Sequence, residues 1–210
     1  MNTSITPVLT ISHQYGSGGS LIARDLGQRL SWSVWDKEVV HRIATKYAVE
    51  EEYVEEKDER VDSFIERMVG VLGISGFEAA YNVPPPLWLN DGQLVRMTRT
   101  IIKEIAEEGK AIIVGRGGNH ILAERSRALH VFVFAPQEAR VQRVMEVERL
   151  PHGDAERRIA SMDRLRADYV RTFYHADWCD PTHYHLVVDS ALWGESGTAD
   201  LIAWALEHMP

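Results

Sequence analysis

One segment near the start of the chain has the composition of a loop that binds phosphate. It reads His13-Gln14-Tyr15-Gly16-Ser17-Gly18-Gly19-Ser20 and partly matches the Walker A pattern, G-x-x-x-x-G-K-[ST], whose backbone N–H groups hold phosphate oxygens at a helix N-terminus. Gly18 and Ser20 occupy the last glycine and the hydroxyl of that pattern, whereas His13 replaces its first glycine and Gly19 its lysine. The glycines and serines exceed what a plain turn needs. We therefore predict phosphate binding by Gly16 to Ser20, with a plain glycine-rich turn as the alternative.

Arginines in the second half of the chain could supply the positive charge of the missing lysine. They lie on both sides of the break Pro151-His152-Gly153: Arg140, Arg143 and Arg149 before it, and Arg157, Arg158, Arg164 and Arg166 after it. A helical hairpin that carries arginines is typical of a lid over bound phosphates, and we predict one at about residues 140–165. Our candidates for catalysis are Arg143, Arg164 and Arg166. For Arg149, Arg157 and Arg158 we favour the alternative of a solvated basic face.

Arg166 is the candidate that helical periodicity singles out. It falls within an apolar stripe of the helix that follows Asp154, whereas Arg164 lies off that stripe, whose other members are Ile159, Met162, Tyr169 and Phe173. An arginine on an inward face needs an anionic partner, because an unpaired buried charge is costly. We predict that this partner is a bound phosphate; an internal pair with Asp163 or Glu156 is the alternative.

Composition narrows the class of protein. The 210 residues are 45% hydrophobic and 26% charged, which is typical of one folded globular domain. The formal net charge of -8 argues against a nucleic-acid partner. The single cysteine and the absence of a long apolar run or a signal-like N-terminus lead us to expect a cytoplasmic protein without a membrane partner. The nine histidines show no convincing zinc-binding spacing.

Short apolar segments and amphipathic helices must position these residues. The segment Val8 to Ser12 predicts a strand before the glycine-rich loop, and apolar residues every four positions from Ile22 to Leu30 predict a helix after it. Further strands are predicted at 32–35, 111–114, 130–134 and 185–188, the last before a helix capped near Ser196. Apolar strands that alternate with helices predict an α/β fold whose mostly parallel sheet is covered on both faces.

The segment between the second and third strands has mixed character. Residues 37–71 are predicted to be helical, whereas residues 73–92 are rich in Gly, Asn and Pro and predict a surface excursion. A helix capped by Asp91 and ended by Gly109 follows. Its polar residues Gln93, Arg96 and Arg99 could face a bound substrate or solvent, and Arg96 is our candidate for binding that substrate.

Four blocks of the chain resemble the cytidylate kinase-like family, in the family's order. They are Val8 to Leu30, Asp36-Lys37-Glu38, the turn Ile112-Ile113-Val114-Gly115-Arg116-Gly117-Gly118, and Asp163-Arg164-Leu165-Arg166-Ala167-Asp168-Tyr169. The GSGG loop and the VGRG turn are the distinctive features. Together these blocks extend over most of the chain.

The resemblance implies one P-loop nucleotide-kinase domain over residues 1–210. Such a domain is a three-layer α/β sandwich with a five-stranded parallel sheet, a helical acceptor-binding insertion, here 37–92, and an arginine-bearing lid. It implies transfer of the γ-phosphoryl group of ATP to CMP or dCMP. Gly16 to Ser20 would then hold the donor phosphates, Ser20 would ligate Mg²⁺, and Asp36 and Arg116 would lie on the acceptor side, with Arg116 on the monophosphate.

Two departures from that family leave alternatives open. Gly19 stands where the loop lysine is expected, and Val114 stands where an acidic residue usually precedes the Gly-Arg turn. Because phosphoryl transfer depends on positioning and on neutralising charge, both changes bear on rate. A nucleotide-binding regulatory protein with weak or no kinase activity is one alternative, and a kinase for another small acceptor is a second. Either a monomer or a homodimer is compatible with the sequence.

Overall fold

The computed structural model describes residues 6–36, 38, 39, 42, 46 and 91–209. The predicted insertion at 37–92 therefore falls mostly outside the described residues. No described helix combines the length and the apolar character that a membrane crossing requires.

Strands and helices alternate along the described chain. The strands are β1 (Val8–His13), β2 (Ser33–Trp35), β3 (Ala111–Val114), β4 (Ala128–Phe134) and β5 (Leu186–Asp189). The helices are α1 (Gly19–Leu30), α2 (Asp91–Glu108), α3 (Gly118–Ile121), α4 (Gln137–Glu148), α5 (His152–Tyr174) and α6 (Ser190–Glu207). A 3₁₀ turn, Pro181–His183, precedes β5.

The five described strands form one parallel sheet in the order β2-β3-β1-β4-β5. In its centre Val8 lies opposite Ala111 of β3 and Ala128 of β4. The sheet confirms the predicted α/β class and its five parallel strands. Because all strands point the same way, the loop after β1, Asp36 after β2 and the turn after β3 meet at one edge.

The two faces of the sheet bury separate clusters of apolar side chains, as alternation along a strand requires. Leu9 and Ile11 of β1 pack with Ile22 of α1 and Ile202 of α6 on one face. On the other face, α2 and α5 cover a cluster that includes Val8, Ile101, Ile105, Ile113, Phe132 and Tyr169. Helices on both faces of the sheet make the three-layer sandwich that the sequence predicts.

The last helix starts earlier than the sequence predicts. It begins at Ser190, where the carboxylate of Asp189 accepts hydrogen bonds from the N–H groups of Ala191 (2.9 Å) and Leu192 (3.3 Å), and the helix predicted from near Ser196 is its second part. Gly194, with φ 67° and ψ 174°, then interrupts the helical conformation.

Candidate functional site

The loop between β1 and α1 presents open N–H groups at a helix N-terminus. Gly16 and Gly18 have φ of 78° and 83°, a region that suits glycine, and Gly18 is the N-cap of α1. Among the described residues, the N–H groups of Gly18, Gly19 and Ser20 donate to no hydrogen bond. N–H groups left open at the positive end of a helix dipole are suited to hold an anion.

Ser17 differs from its neighbours because its polar groups are engaged within the protein. Its hydroxyl donates to the carbonyl of Gln14 (2.8 Å), its N–H donates to the same carbonyl (3.1 Å), and its own carbonyl accepts from the hydroxyl of Ser190 (2.6 Å). The side chain is fully buried. Ser17 therefore shapes the loop, and a direct phosphate contact through it stays a prediction.

The two departures from the Walker A pattern, His13 and Gly19, lie in contact with each other. The imidazole of His13 lies directly against Gly19, where a Cβ atom would collide with the Cβ, Cγ and Cδ2 atoms of His13. Burial, with a smaller effect of Arg166, lowers the pKa of His13 to about 4, so the ring is neutral at pH 7. The neutral ring thus fills the space beside position 19 that a lysine stem would need.

This arrangement predicts that alanine at position 19 is tolerated only when the imidazole is removed. Gly19→Ala alone should destabilise the protein by about 1–3 kcal/mol through overpacking. In a His13→Gly background the same change should be neutral or stabilising, because alanine is favoured over glycine in a helix. Chemical denaturation of the four proteins of this double-mutant cycle measures the coupling.

Gly197→Ala is the matched control for that cycle. Gly197 is also helical, but a Cβ atom there would meet only Trp193 Cβ, at an ordinary 3.5 Å. Equal effects of Gly19→Ala with and without His13 would contradict the coupling.

Arg166 reaches the base of the loop, as its place in the apolar stripe predicted. Its Nη1 donates to the carbonyl of His13 at 2.5 Å, and its guanidinium carbon lies 5.6 Å from the centre of the Tyr15 ring. No carboxylate of the described residues lies within 4.0 Å of it, and its Nε and Nη2 donate to none of those residues. Burial lowers the pKa of Arg166, although Asp163 opposes that shift. The guanidinium is thus a desolvated cation with open donors beside the loop.

Asp163 is engaged elsewhere, in a contact that the sequence did not reveal. Its Oδ2 accepts from Arg140 Nη1 at 2.6 Å, and its Oδ1 accepts from the backbone N–H of Tyr15 at 2.8 Å. Arg140 Nη1 also donates to the carbonyl of Tyr15 at 3.3 Å. The Arg140–Asp163 pair therefore fixes the backbone of the loop, and an internal salt bridge between Asp163 and Arg166 is not formed.

The helices of the predicted lid pack directly on the loop. Residues 140–165 comprise most of α4 and the first half of α5, and the ring of Tyr15 lies in a buried apolar cluster with Val141, Val144, Ala155, Ile159 and Met162. The phenol of Tyr15 donates to Glu148. Whether this hairpin also closes over a ligand stays a prediction.

Arg143 of α4 lies over the glycines of the loop. Its Nη1 donates to the carbonyl of Gly16 at 3.2 Å and would be 2.5 Å from a Cβ atom placed on Gly18. Its Nη2 lies 3.0 Å from Oε1 of Glu195, with which it forms an ion pair. Arg143 and Arg166 thus approach the glycine-rich loop from two different helices.

The turn after β3 brings Arg116 to the same edge of the sheet. Arg116 has φ 56°, and its Nη1 donates to the carbonyl of Val114 at 2.7 Å and pairs with Oδ1 of Asp36 at 3.5 Å. Its Nε and Nη2 are buried and have no hydrogen-bond partner among the described residues. Burial lowers the pKa of Arg116, and Asp36 opposes that shift. A buried guanidinium with two open donors can grip an anion in two places.

Asp36 connects the two halves of this site. Its Oδ2 accepts from the hydroxyl of Ser20 on α1 at 3.0 Å, while Oδ1 faces Arg116 on the β3 turn. The hydroxyl and the carboxylate together place hard oxygen atoms beside the N-terminus of α1. The structure therefore brings the loop, Ser20, Asp36 and Arg116 together.

Comparison with known proteins identifies the family to which this chain belongs. The sequence profile of the Cytidylate kinase-like family matches residues 8–192. The chain belongs to the cytidylate kinase-like family. The match includes the glycine-rich loop, the Arg116 turn and the part of α5 that holds Arg166, whereas Glu195 lies beyond it.

Individual relatives are distant from this member of the cytidylate kinase-like family. A cytidylate kinase of Methanopyrus kandleri is 28% identical over 51% of this chain and 60% of its own length, so the match spans less than two thirds of that relative. A crystal structure of a protein from Eubacterium ventriosum has a TM-score of 0.68 at 18% identity, with 97% and 99% of the two chains covered. A shikimate kinase from Bacteroides thetaiotaomicron has a TM-score of 0.52 at 13% identity over 96% and 98%. These two structures share the fold.

Two residues that the sequence assigned to the site of this cytidylate kinase-like chain lie apart from it. The side chain of Arg164 is 84% exposed and pairs with Asp168 one turn along α5. Arg96 is exposed on α2 and has no described contact with the site. The arginine of α2 that approaches the site is Arg99, 5.2 Å from the centre of the Tyr174 ring. The hydroxyl of Tyr174 in turn donates to the carbonyl of Arg116 (3.3 Å). Arg99 is therefore connected to the Arg116 turn through Tyr174. The side chain of Gln93 lies outside the described residues.

Proposed function

We propose that this protein transfers the γ-phosphoryl group of ATP to a pyrimidine nucleoside monophosphate, CMP or dCMP. The observation that carries the proposal is the arrangement around Asp36. Its carboxylate joins Ser20 of an anion-binding loop to Arg116, a buried guanidinium with two open donors. An enzyme that transfers a phosphoryl group from ATP to a nucleoside monophosphate needs two neighbouring anion sites of this kind, one for the donor and one for the acceptor. The cytidylate kinase names of the distant relatives support the choice of acceptor.

The donor side is built from the loop and two arginines. The open N–H groups of Gly18, Gly19 and Ser20 would hold phosphate oxygens, and Arg143 and Arg166 would neutralise charge there. Arg166 would take the role of the absent lysine, because its desolvated guanidinium lies against the base of the loop without a carboxylate partner among the described residues. Preorganised cations of this kind stabilise the charge that develops in the transition state.

A divalent cation fits the oxygen atoms beside the loop. Ser20 and Asp36 would hold Mg²⁺, because a hydroxyl and a carboxylate are ligands that this ion accepts beside water and substrate phosphates. The ion would supply further neutralisation of the phosphate charge.

The acceptor side centres on Arg116. Its Nε and Nη2 would grip the acceptor monophosphate and present one oxygen to the γ-phosphorus of ATP. A bond then forms between that oxygen and phosphorus, the bond to the bridging oxygen breaks, and ADP leaves. Asp36 keeps Arg116 oriented from the donor side, and Tyr169 and Tyr174 donate to the Arg116 carbonyl and hold the turn in place.

An assay of ADP formation with ATP, Mg²⁺ and one acceptor at a time, either a nucleoside monophosphate or a small hydroxylated acid, tests the proposal. We expect turnover with CMP and dCMP that exceeds turnover with UMP and AMP. Preferred turnover with AMP, or with a non-nucleotide acceptor such as a small hydroxylated acid, would assign a different substrate. ATP binding without turnover on any acceptor would favour a regulatory nucleotide-binding protein, which the absence of a loop lysine would explain.

Replacing Arg116 with lysine tests whether this residue belongs to the acceptor side of the site rather than to the donor side. Arg116→Lys should weaken acceptor binding by about tenfold and change ATP binding much less, because lysine loses the planar grip on phosphate. Calorimetric titration with CMP and, separately, with ATP measures both affinities. Equal weakening of both ligands would place Arg116 between the sides rather than on the acceptor side.

A further inference from the structure

A carboxylate lies at the mouth of the phosphate loop. Oε1 of Glu195 lies 3.0 Å from Nη2 of Arg143, and the same oxygen would be 3.3 Å from a Cβ atom placed on Gly18. Arg143 Nη1 reaches the same point and donates to the carbonyl of Gly16. An acidic and a basic side chain thus cover the glycine that caps α1.

A phosphate bound at the loop would compete with the Glu195 carboxylate for the Arg143 guanidinium. The N–H groups beneath the pair, on Gly18 to Ser20, have no acceptor among the described residues. A phosphate held there would repel the nearby carboxylate and would offer Arg143 a more highly charged partner. The side chains of Arg143 and Glu195 are 30% and 39% exposed, so their ion pair is a weak one that a ligand can displace.

The backbone before Glu195 directs it at the loop. Gly194 has φ 67° and ψ 174° inside α6, a conformation adopted almost only by glycine. A Cβ atom on Gly194 would meet nothing within 4 Å, so the backbone conformation rather than lack of space calls for glycine. The hydroxyl of Thr198 donates to the Gly194 carbonyl at 2.6 Å and holds this kink in place. The position of Glu195 is therefore fixed by the fold, while its side chain can turn into solvent.

We propose that Glu195 is a built-in competitor of the phosphate chain of the donor. In the phosphate-free protein its carboxylate holds Arg143, and an incoming phosphoryl group displaces the carboxylate and takes over Arg143. The inference rests on the proposed function, because it requires the loop to bind phosphate. It adds a control of affinity, since Glu195 opposes tight retention of the donor and of its diphosphate product.

Binding of tripolyphosphate to the Glu195→Gln variant tests this inference. The change preserves size and removes the charge, and we expect binding about three- to tenfold tighter than in the wild type, measured by calorimetry at low salt. The gain should shrink as salt is added, because the competing interaction is electrostatic and partly exposed. Glu207→Gln is the control, since Glu207 is exposed at the opposite end of the same helix.

The possible outcomes separate this inference from the proposed function. Equal affinity of wild type and Glu195→Gln would overturn the competitor role while leaving the phosphate loop intact. Weaker binding by the variant would also overturn it and would mean that Glu195 orients Arg143 toward phosphate. Failure of both proteins to bind tripolyphosphate would refute the phosphate loop itself, and the competitor role with it.

Discussion

Replacing Arg166 with methionine is expected to lower turnover at least roughly tenfold, about 1.4 kcal/mol of transition-state stabilisation, without lowering the melting temperature. The guanidinium lies beside the glycine-rich loop, donates to the His13 carbonyl and has no carboxylate partner among the described residues. Methionine keeps much of the stem and the helix propensity while it removes a charge that is costly to bury. Turnover should therefore fall while stability is unchanged or raised.

Arg164→Met is the matched control for this experiment. Arg164 lies on the same helix two residues earlier, but its side chain is 84% exposed and pairs only with Asp168 in the described structure. It should change neither turnover nor melting temperature measurably. A large loss of stability in Arg166→Met, with turnover per folded molecule intact, would show that Arg166 is a structural residue.

Replacing Gly18 with valine is expected to weaken ATP binding on the order of a hundredfold, about 2.7 kcal/mol. Gly18 caps α1 with φ 83°, which a β-branched residue adopts only with strain, and any side chain there would meet Arg143 and Glu195. The change thus disturbs the open N–H groups and the arginine together. The backbone strain should also cost about 1–2 kcal/mol of stability. Calorimetric titration with ATP and chemical denaturation measure the two effects.

Gly109→Val is the control that separates the effect of backbone strain on stability from the effect of a disturbed loop on ATP binding. Gly109 has φ 71° and lies just before the start of β3, at the edge of the sheet opposite the loop. Its variant should lose comparable or greater stability, because a side chain there would strike Thr6, and yet bind ATP as the wild type does. Wild-type ATP affinity in Gly18→Val would rule out a role of the loop in holding phosphate.

The strands and the loop could be predicted because their signals are local. A β-branched apolar run, a glycine cluster and a helix with apolar residues every four positions occur within Val8 to Leu30, and each has a direct structural meaning. The same holds for Arg166, whose place in an apolar stripe is visible within α5. Arg164 was also predicted to be catalytic although it lies off that stripe, and because a helix turns 100° per residue its side chain lies in solvent, 84% exposed.

What the sequence did not reveal depends on contacts between distant residues. The pair Arg140–Asp163 that fixes Tyr15 joins three elements, and nothing in the spacing of those residues indicates it. Likewise, the collision of His13 with any side chain at position 19 follows from the path of the loop and not from either residue alone. The sequence also does not show which of Arg96 and Arg99 lies nearer the site, because both are arginines on the same helix. The packing of α2 places Arg99 against the Tyr174 ring.

Product analysis by ³¹P NMR of the protein with ATP, Mg²⁺ and CMP tests the central proposal most directly. We predict that CDP and ADP appear in equal amounts as ATP and CMP disappear, and that Arg166→Met slows both signals together while Arg164→Met does not. ADP and inorganic phosphate without CDP would indicate hydrolysis rather than transfer. Unchanged ATP and CMP, under conditions in which calorimetry detects both bound, would contradict a kinase and leave a nucleotide-binding protein that does not catalyse transfer.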